Sequence, residues 1–127
     1  MKTILVDAVF TFVSETGVIN KELHKLLESF PNKKIIVTNA PLEKFEQYGL
    51  YDVPYEVFTL SKNPPKTDPE YFKELLEEKN LSADTVAYFE HSLEACNSAE
   101  SLGIMTHHYD SDKKDLEALK KFLDKNL

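Results

Sequence analysis

Asp7 closes the apolar run Ile4-Leu5-Val6 and is followed by Ala8-Val9-Phe10-Thr11. A carboxylate at the end of a buried strand is placed to act as a nucleophile or to hold a cation. Three other polar groups follow apolar runs or loops in the same manner: Thr38-Asn39, Lys66 ahead of Thr67-Asp68-Pro69, and Glu90-His91-Ser92. A threonine hydroxyl can hold a phosphoryl oxygen, and a lysine can neutralise charge that develops on it. Carboxylates after a strand can hold Mg2+, which screens phosphate and orients attack. Asp7, Thr38 and Lys66 are therefore the candidate catalytic residues.

These groups need a scaffold that brings strand ends together. Met1 to Val6, Lys34 to Val37, Tyr55 to Leu60, Thr85 to Phe89 and Ile104 to Tyr109 read as strands, the first apolar on both faces. Leu23, Leu26, Leu27 and Phe30 recur at helical spacing between Asn20, a cap, and Pro31, a stop. Leu42, Phe45 and Tyr48 predict a short helix closed by Gly49. A helix starts at Asp68-Pro69, where proline's missing N–H costs nothing, and buries Tyr71, Phe72, Leu75 and Leu76. Leu93 to Leu102 and Asp112 to Asp124 predict two more helices. Strands alternating with helices imply one domain over residues 1–127, an α/β fold with a five-stranded parallel sheet covered on both faces. In such sheets ligands bind beyond the carboxyl ends of the strands, where the candidate residues fall.

Composition narrows the partners. The chain has net charge −7, and all fifteen of its basic residues are lysine. Without arginine it lacks the usual means of bidentate phosphate or base-edge contact, so no nucleic-acid partner is expected. One cysteine, Cys96, excludes an internal disulfide and suits a reducing compartment; buried and inert is its expected state. The first apolar stretch is broken by Asp7 and matches neither a signal peptide nor a membrane span. A cytoplasmic protein with no membrane partner is the expectation. His107 and His108 point to opposite strand faces and form no joint site.

Ile4 to Thr11, Ile35 to Ala40, Lys66 to Pro69 and Phe89 to Ala95, with Ala99, Leu102, Gly103 and Ile104 after them, resemble the four motifs of the haloacid dehalogenase (HAD) superfamily, mostly phosphatases. The resemblance spans nearly the whole chain. It implies a three-layer Rossmann-like fold, with Asp7 the nucleophile and Lys66 the charge-neutralising lysine. Thr11, Asn39 and Ser92 would lie at the ligand, and Asp7, Glu90 and His91 would be the metal set for Mg2+. Only a hairpin-like stretch and one helix separate Thr11 from Thr38, so no cap domain is expected.

The departures from those motifs bear on function. Val9 stands where the resemblance implies an acid/base aspartate, and such proton transfer is worth about 10² to 10⁴ in rate. Phe10 replaces a small residue, His91 an aspartate and Ala95 a second acidic position. Histidine for aspartate discourages Mg2+, which prefers hard oxygen ligands. His91 has three readings: a ligand for a softer ion such as Zn2+, a pH-sensitive binding residue, or, by default, a histidine bonded within its loop. Asp7-Ala8-Val9 also resembles the metal-free dehalogenases, but the arginine and cap they need are missing. The expectation is a phosphatase-like domain that binds a phosphorylated small molecule or protein, or another anionic ligand, with weak or no turnover. The alternatives are an active metal-dependent phosphomonoesterase using Asp7, and a protein-interaction domain on a silent scaffold.

Overall fold

A computed structural model describes residues 1–127. Strand β1 (Thr3–Asp7) is buried throughout and lies between β2 (Lys34–Thr38) and β4 (Val86–Glu90). With β3 (Glu56–Thr59) and β5 (Met105–His108) the order is β3-β2-β1-β4-β5, every pair parallel. The order reverses between β1 and β4, which opens a crevice at their carboxyl ends.

The period-two alternation of the strands decides the layers. Ile4, Val6, Ile36 and Phe89 pack with Leu23 and Leu27 of α1 (Lys21–Glu28) and Leu119 and Leu123 of α4 (Leu116–Asn126). Leu5, Ile35, Val37 and Tyr88 face Tyr71, Phe72 and Leu75 of α2 (Pro69–Glu78) and Ala99 of α3 (Leu93–Glu100). Two helices thus cover each face, as the strand–helix alternation predicts. The connections between strands carry no inserted domain, so the site has no cap. No helix is long and apolar enough to cross a membrane.

Local chemistry explains the ends. Asn20 accepts the Leu23 N–H and starts α1, and Asp68 accepts the Glu70 N–H and starts α2 with Pro69 at its first position. Two expectations are corrected. Leu42 to Tyr48 is not a regular helix: a 3-10 turn covers Leu42–Lys44, bonded i to i−3, and irregular turns follow. The last helix begins at Leu116 rather than Asp112. The Asp110 carboxylate accepts the Asp112 and Lys113 N–H groups, and Lys114 is left-handed (φ 48°), so the chain turns before Asp115 caps α4.

One close approach joins the loop after β1 to the segment after β2. Gly17 (φ 84°) and Gly49 (φ 65°) face each other there, and a Cβ on Gly49 would stand 2.9 Å from the Gly17 carbonyl oxygen. Only glycine fits both the left-handed backbone and the contact.

Candidate functional site

Asp7 ends the central strand, Thr38 ends β2 and Glu90 ends β4, so parallel register alone brings three polar side chains to one edge. Lys66 arrives from the loop after β3, its N–H donating to Asn39 Oδ1 at 3.2 Å. All four side chains are buried. The Lys66 ammonium lies between two carboxylates, 2.7 Å from Asp7 Oδ1 and 2.8 Å from Glu90 Oε1. His91 closes the other side: its Nδ1 bonds Asp7 Oδ2 and lies 3.1 Å from Glu90 Oε2. Both neighbours are acceptors, so Nδ1 carries a proton. The His91 amide (3.2 Å) and the Thr11 hydroxyl (2.7 Å) also donate to Asp7 Oδ2. The Tyr88 hydroxyl donates to Glu90 Oε1, and the Ser92 N–H to Glu90 Oε2 at 3.1 Å.

The electrostatics follow from this pairing. Burial alone would raise the Asp7 pKa, but the Lys66 ammonium and then the His91 bond hold it well below the usual carboxylate range. Lys66 is driven upward by Asp7 and Glu90 against its own burial. The bonds from Asp7 and Glu90 lift His91 to about 10, so it is an imidazolium at neutral pH. Tyr88 is pushed far up by burial and by the Glu90 charge. Two anions and two cations compensate within the protein.

Asp7, Glu90 and His91 bring their ligand atoms within 4.8 Å of one another, the spacing of a metal-binding group. Their bonding does not suit Mg2+. All four carboxylate oxygens already accept protein donors, and the third member presents a proton-bearing nitrogen. Ala95, at the second acidic position that the resemblance implies, offers no side-chain oxygen. A hard cation would have to displace the proton-bearing imidazole from Asp7 Oδ2 and Glu90 Oε2 before it could use those oxygens.

A cavity of about 460 Å³ opens on Asp7, Thr38, Lys66 and Glu90, with Asn39 and Ser92 also on its wall. Thr38 Oγ1 accepts the Ala40 N–H at 3.1 Å, and the Tyr71 hydroxyl fixes the Thr38 carbonyl at 2.7 Å, so the Thr38 proton is free to donate. Ser92 caps α3 through the Ala95 N–H. Thr11 touches no part of this cavity. It lines a second one beyond Phe10 and acts on Asp7 through its hydroxyl. The default reading of His91, bonded within its own loop, is also corrected: its ring reaches across to Asp7 on the central strand. Cys96 is buried beneath, its thiol 3.5 Å from the Glu90 carbonyl oxygen and pushed up to about 12 by burial and the Glu90 charge.

Lys44, Tyr48 and Lys62 also line the cavity, though no motif marks them as site residues in the sequence. The only signal for Lys62 was its place in the proline-rich loop after β3. With Lys66 and His91 the wall bears four cations against the carboxylates of Asp7 and Glu90. A chain of net charge −7 thus concentrates positive charge at one crevice.

No protein-family profile matches the sequence, and no curated protein matches it. Solved structures do. A HAD family enzyme from Bacteroides thetaiotaomicron superposes with a TM-score of 0.74 at 14% identity, over 94% of this chain and 98% of that one. The fold is HAD-like. A HAD-superfamily hydrolase of subfamily IA from Geobacter sulfurreducens gives a TM-score of 0.67 at 12% identity, covering 86% and 89%. The Bacteroides enzyme has also been crystallised with magnesium and inorganic phosphate, and that structure superposes with a TM-score of 0.73. In the HAD-like frame of this chain, Asp7 ends the central strand and Lys66, Glu90 and His91 surround it.

Proposed function

We propose that this HAD-like domain binds a phosphorylated or other anionic ligand at the Asp7 cavity without a divalent metal, and turns it over weakly or not at all. The observation that carries this reading is the position of the His91 ring, whose Nδ1 bonds Asp7 Oδ2 and lies 3.1 Å from Glu90 Oε2. A cation belonging to the chain stands where a bound ion would otherwise balance the acids. Lys66, His91, the Thr38 hydroxyl and the Asn39 amide then supply donors to an anion inside a net-positive wall. Chemistry suffers from the same arrangement. Asp7 Oδ2 accepts three donors, which withdraws its lone pairs, and Val9 has no proton for a leaving alkoxide. The ligand is a phosphorylated small molecule or a phosphorylated protein, and the cytoplasm is the proposed place of work.

Calorimetric titration with inorganic phosphate, and thermal shift with beryllium fluoride, each with and without Mg2+, test this reading. Binding that needs no Mg2+ and weakens in Lys66→Met supports it. Phosphomonoester hydrolysis that requires Mg2+ and vanishes in Asp7→Asn would establish the metal-dependent phosphatase instead. No response to any anion under any condition favours a protein-interaction domain.

A further inference from the structure

The cavity is too large for an ion. At about 460 Å³ it lies in the range of pockets that enclose whole small molecules, roughly 300–1,000 Å³. A phosphate at Lys66 and His91 would leave most of it empty, and the rest of the wall has a distinct chemistry.

Phe10 forms part of the mouth. It is 47% exposed, and its backbone is left-handed (φ 73°), an unfavourable conformation for a bulky residue. That backbone sets the ring against the His91 ring, edge to face, with centroids 5.4 Å apart. Burial does not account for a strained, half-exposed aromatic beside the phosphoryl end, whereas a face for a ligand does. Tyr48, half-buried in the segment after β2, adds a second ring to the same wall. Lys44 and Lys62 are exposed and also line the cavity, and Lys62 is held by a left-handed backbone (φ 67°) following another left-handed residue, Ser61 (φ 50°). Their charges exceed what one phosphoryl group, already served by Lys66 and His91, requires.

We propose that the ligand carries three parts: a phosphoryl or phosphonyl group at Lys66 and His91, a flat apolar body against Phe10 and Tyr48, and a second anionic group at Lys44 and Lys62. This rests on the anion-binding reading above and names the ligand class for that site. The flat body gains from ring contact and from removal of apolar surface from water. The second anion gains from two screened cations, a smaller and salt-sensitive effect.

Four probes resolve the parts: inorganic phosphate, methylphosphonate, phenylphosphonate and 4-phosphonobenzoate, none of them hydrolysable to smaller anions by the protein. Calorimetric affinities are expected to rise about tenfold from methyl- to phenylphosphonate. A further gain of roughly threefold is expected from the added carboxylate, fading at about 0.5 M salt. Phe10→Gly suits the left-handed backbone and so does not threaten folding; it should collapse the phenyl-to-methyl ratio toward one. The double exchange Lys44→Gln, Lys62→Gln should remove the carboxylate gain alone. If phosphate and methylphosphonate bind as well as both aryl probes, the ligand class is wrong while the anion site stands. If none of the four binds, both readings fall.

Discussion

Replacing Lys66 with methionine removes one charge from beneath two others. The ammonium lies 2.7 and 2.8 Å from two carboxylates, and its side chain is only 7% exposed. At an effective dielectric constant of about 20, each contact is worth roughly 6 kcal/mol of gross attraction. Most of that offsets the cost of taking the three charges out of water. Methionine keeps the volume and loses the attraction, while the desolvation of Asp7 and Glu90 remains. The expected loss is about 3–5 kcal/mol, the range for breaking a buried pair, with His91 preventing a larger one. At a urea m-value of about 2 kcal/mol/M this lowers the unfolding midpoint by roughly 2 M.

The pH dependence of that variant has a definite sign. Without Lys66, the strongest influence lowering the Asp7 pKa is gone while its burial still raises it, so the Asp7 carboxyl moves upward from its native-protein value. The folded variant then takes up a proton at Asp7 more readily than the folded native protein, so the deficit shrinks as pH falls from 7 toward 4. Adding Asp7→Asn removes one orphaned charge and should recover about 1–3 kcal/mol at pH 7. A Lys66→Met protein that loses less than about 1 kcal/mol, as an exposed lysine would, refutes this account of the buried network.

His91 contributes in the opposite pH range. Its folded pKa is raised to about 10, so its stabilisation is complete below about pH 6.5 and is lost as pH rises toward 10. Urea midpoints should fall from about pH 6.5 to about pH 8.5 in the native protein and stay nearly level there in His91→Gln, before the buried Cys96 thiol adds its own loss at higher pH in both. Thr11→Val removes the hydroxyl from Asp7 Oδ2 and should cost about 1.5–3 kcal/mol in chemical denaturation, as for a bond to a charged group. Gly49→Ala meets the Gly17 carbonyl at 2.9 Å as well as an unfavourable backbone, whereas Gly103→Ala shares only the backbone (φ 83°) and has its nearest neighbour 4.0 Å away. The Gly49 variant should lose more thermal stability than the Gly103 variant, and equal losses would show that the contact yields.

The fold was readable because its rules are local or periodic. Ile4-Leu5-Val6 announces a strand covered on both faces, and Asn20 and Asp68-Pro69 mark helix starts by their own hydrogen bonding. Where two local rules compete, periodicity alone misplaces the boundary. At Asp112 the helical spacing was right, but the Asp110 side chain captures the N–H groups that would begin the helix. Strand ends bring Asp7, Thr38 and Glu90 together as the topology requires, and the loop after β3 delivers Lys66. The pairing of His91 with Asp7 was not legible, since it depends on a ring orientation across two strands. Nor were Phe10's left-handed backbone and the reach of Lys44, Tyr48 and Lys62 to the cavity, which follow from loop conformation and leave no periodic trace.

The meeting of Gly17 and Gly49 has a kinetic consequence. One wall of the cavity comes from the loop after β1, through Val9 and Phe10, and another from the segment after β2, through Pro41, Lys44 and Tyr48. At the two glycines these segments touch backbone to backbone, so swinging one wall away from the other would break that contact. Exchange of ligand is then expected to be a single bimolecular event through a standing aperture. The observed rate should rise linearly with ligand concentration and show no plateau from a slow isomerisation. Discrimination among ligands falls to residence time rather than to the gating of entry.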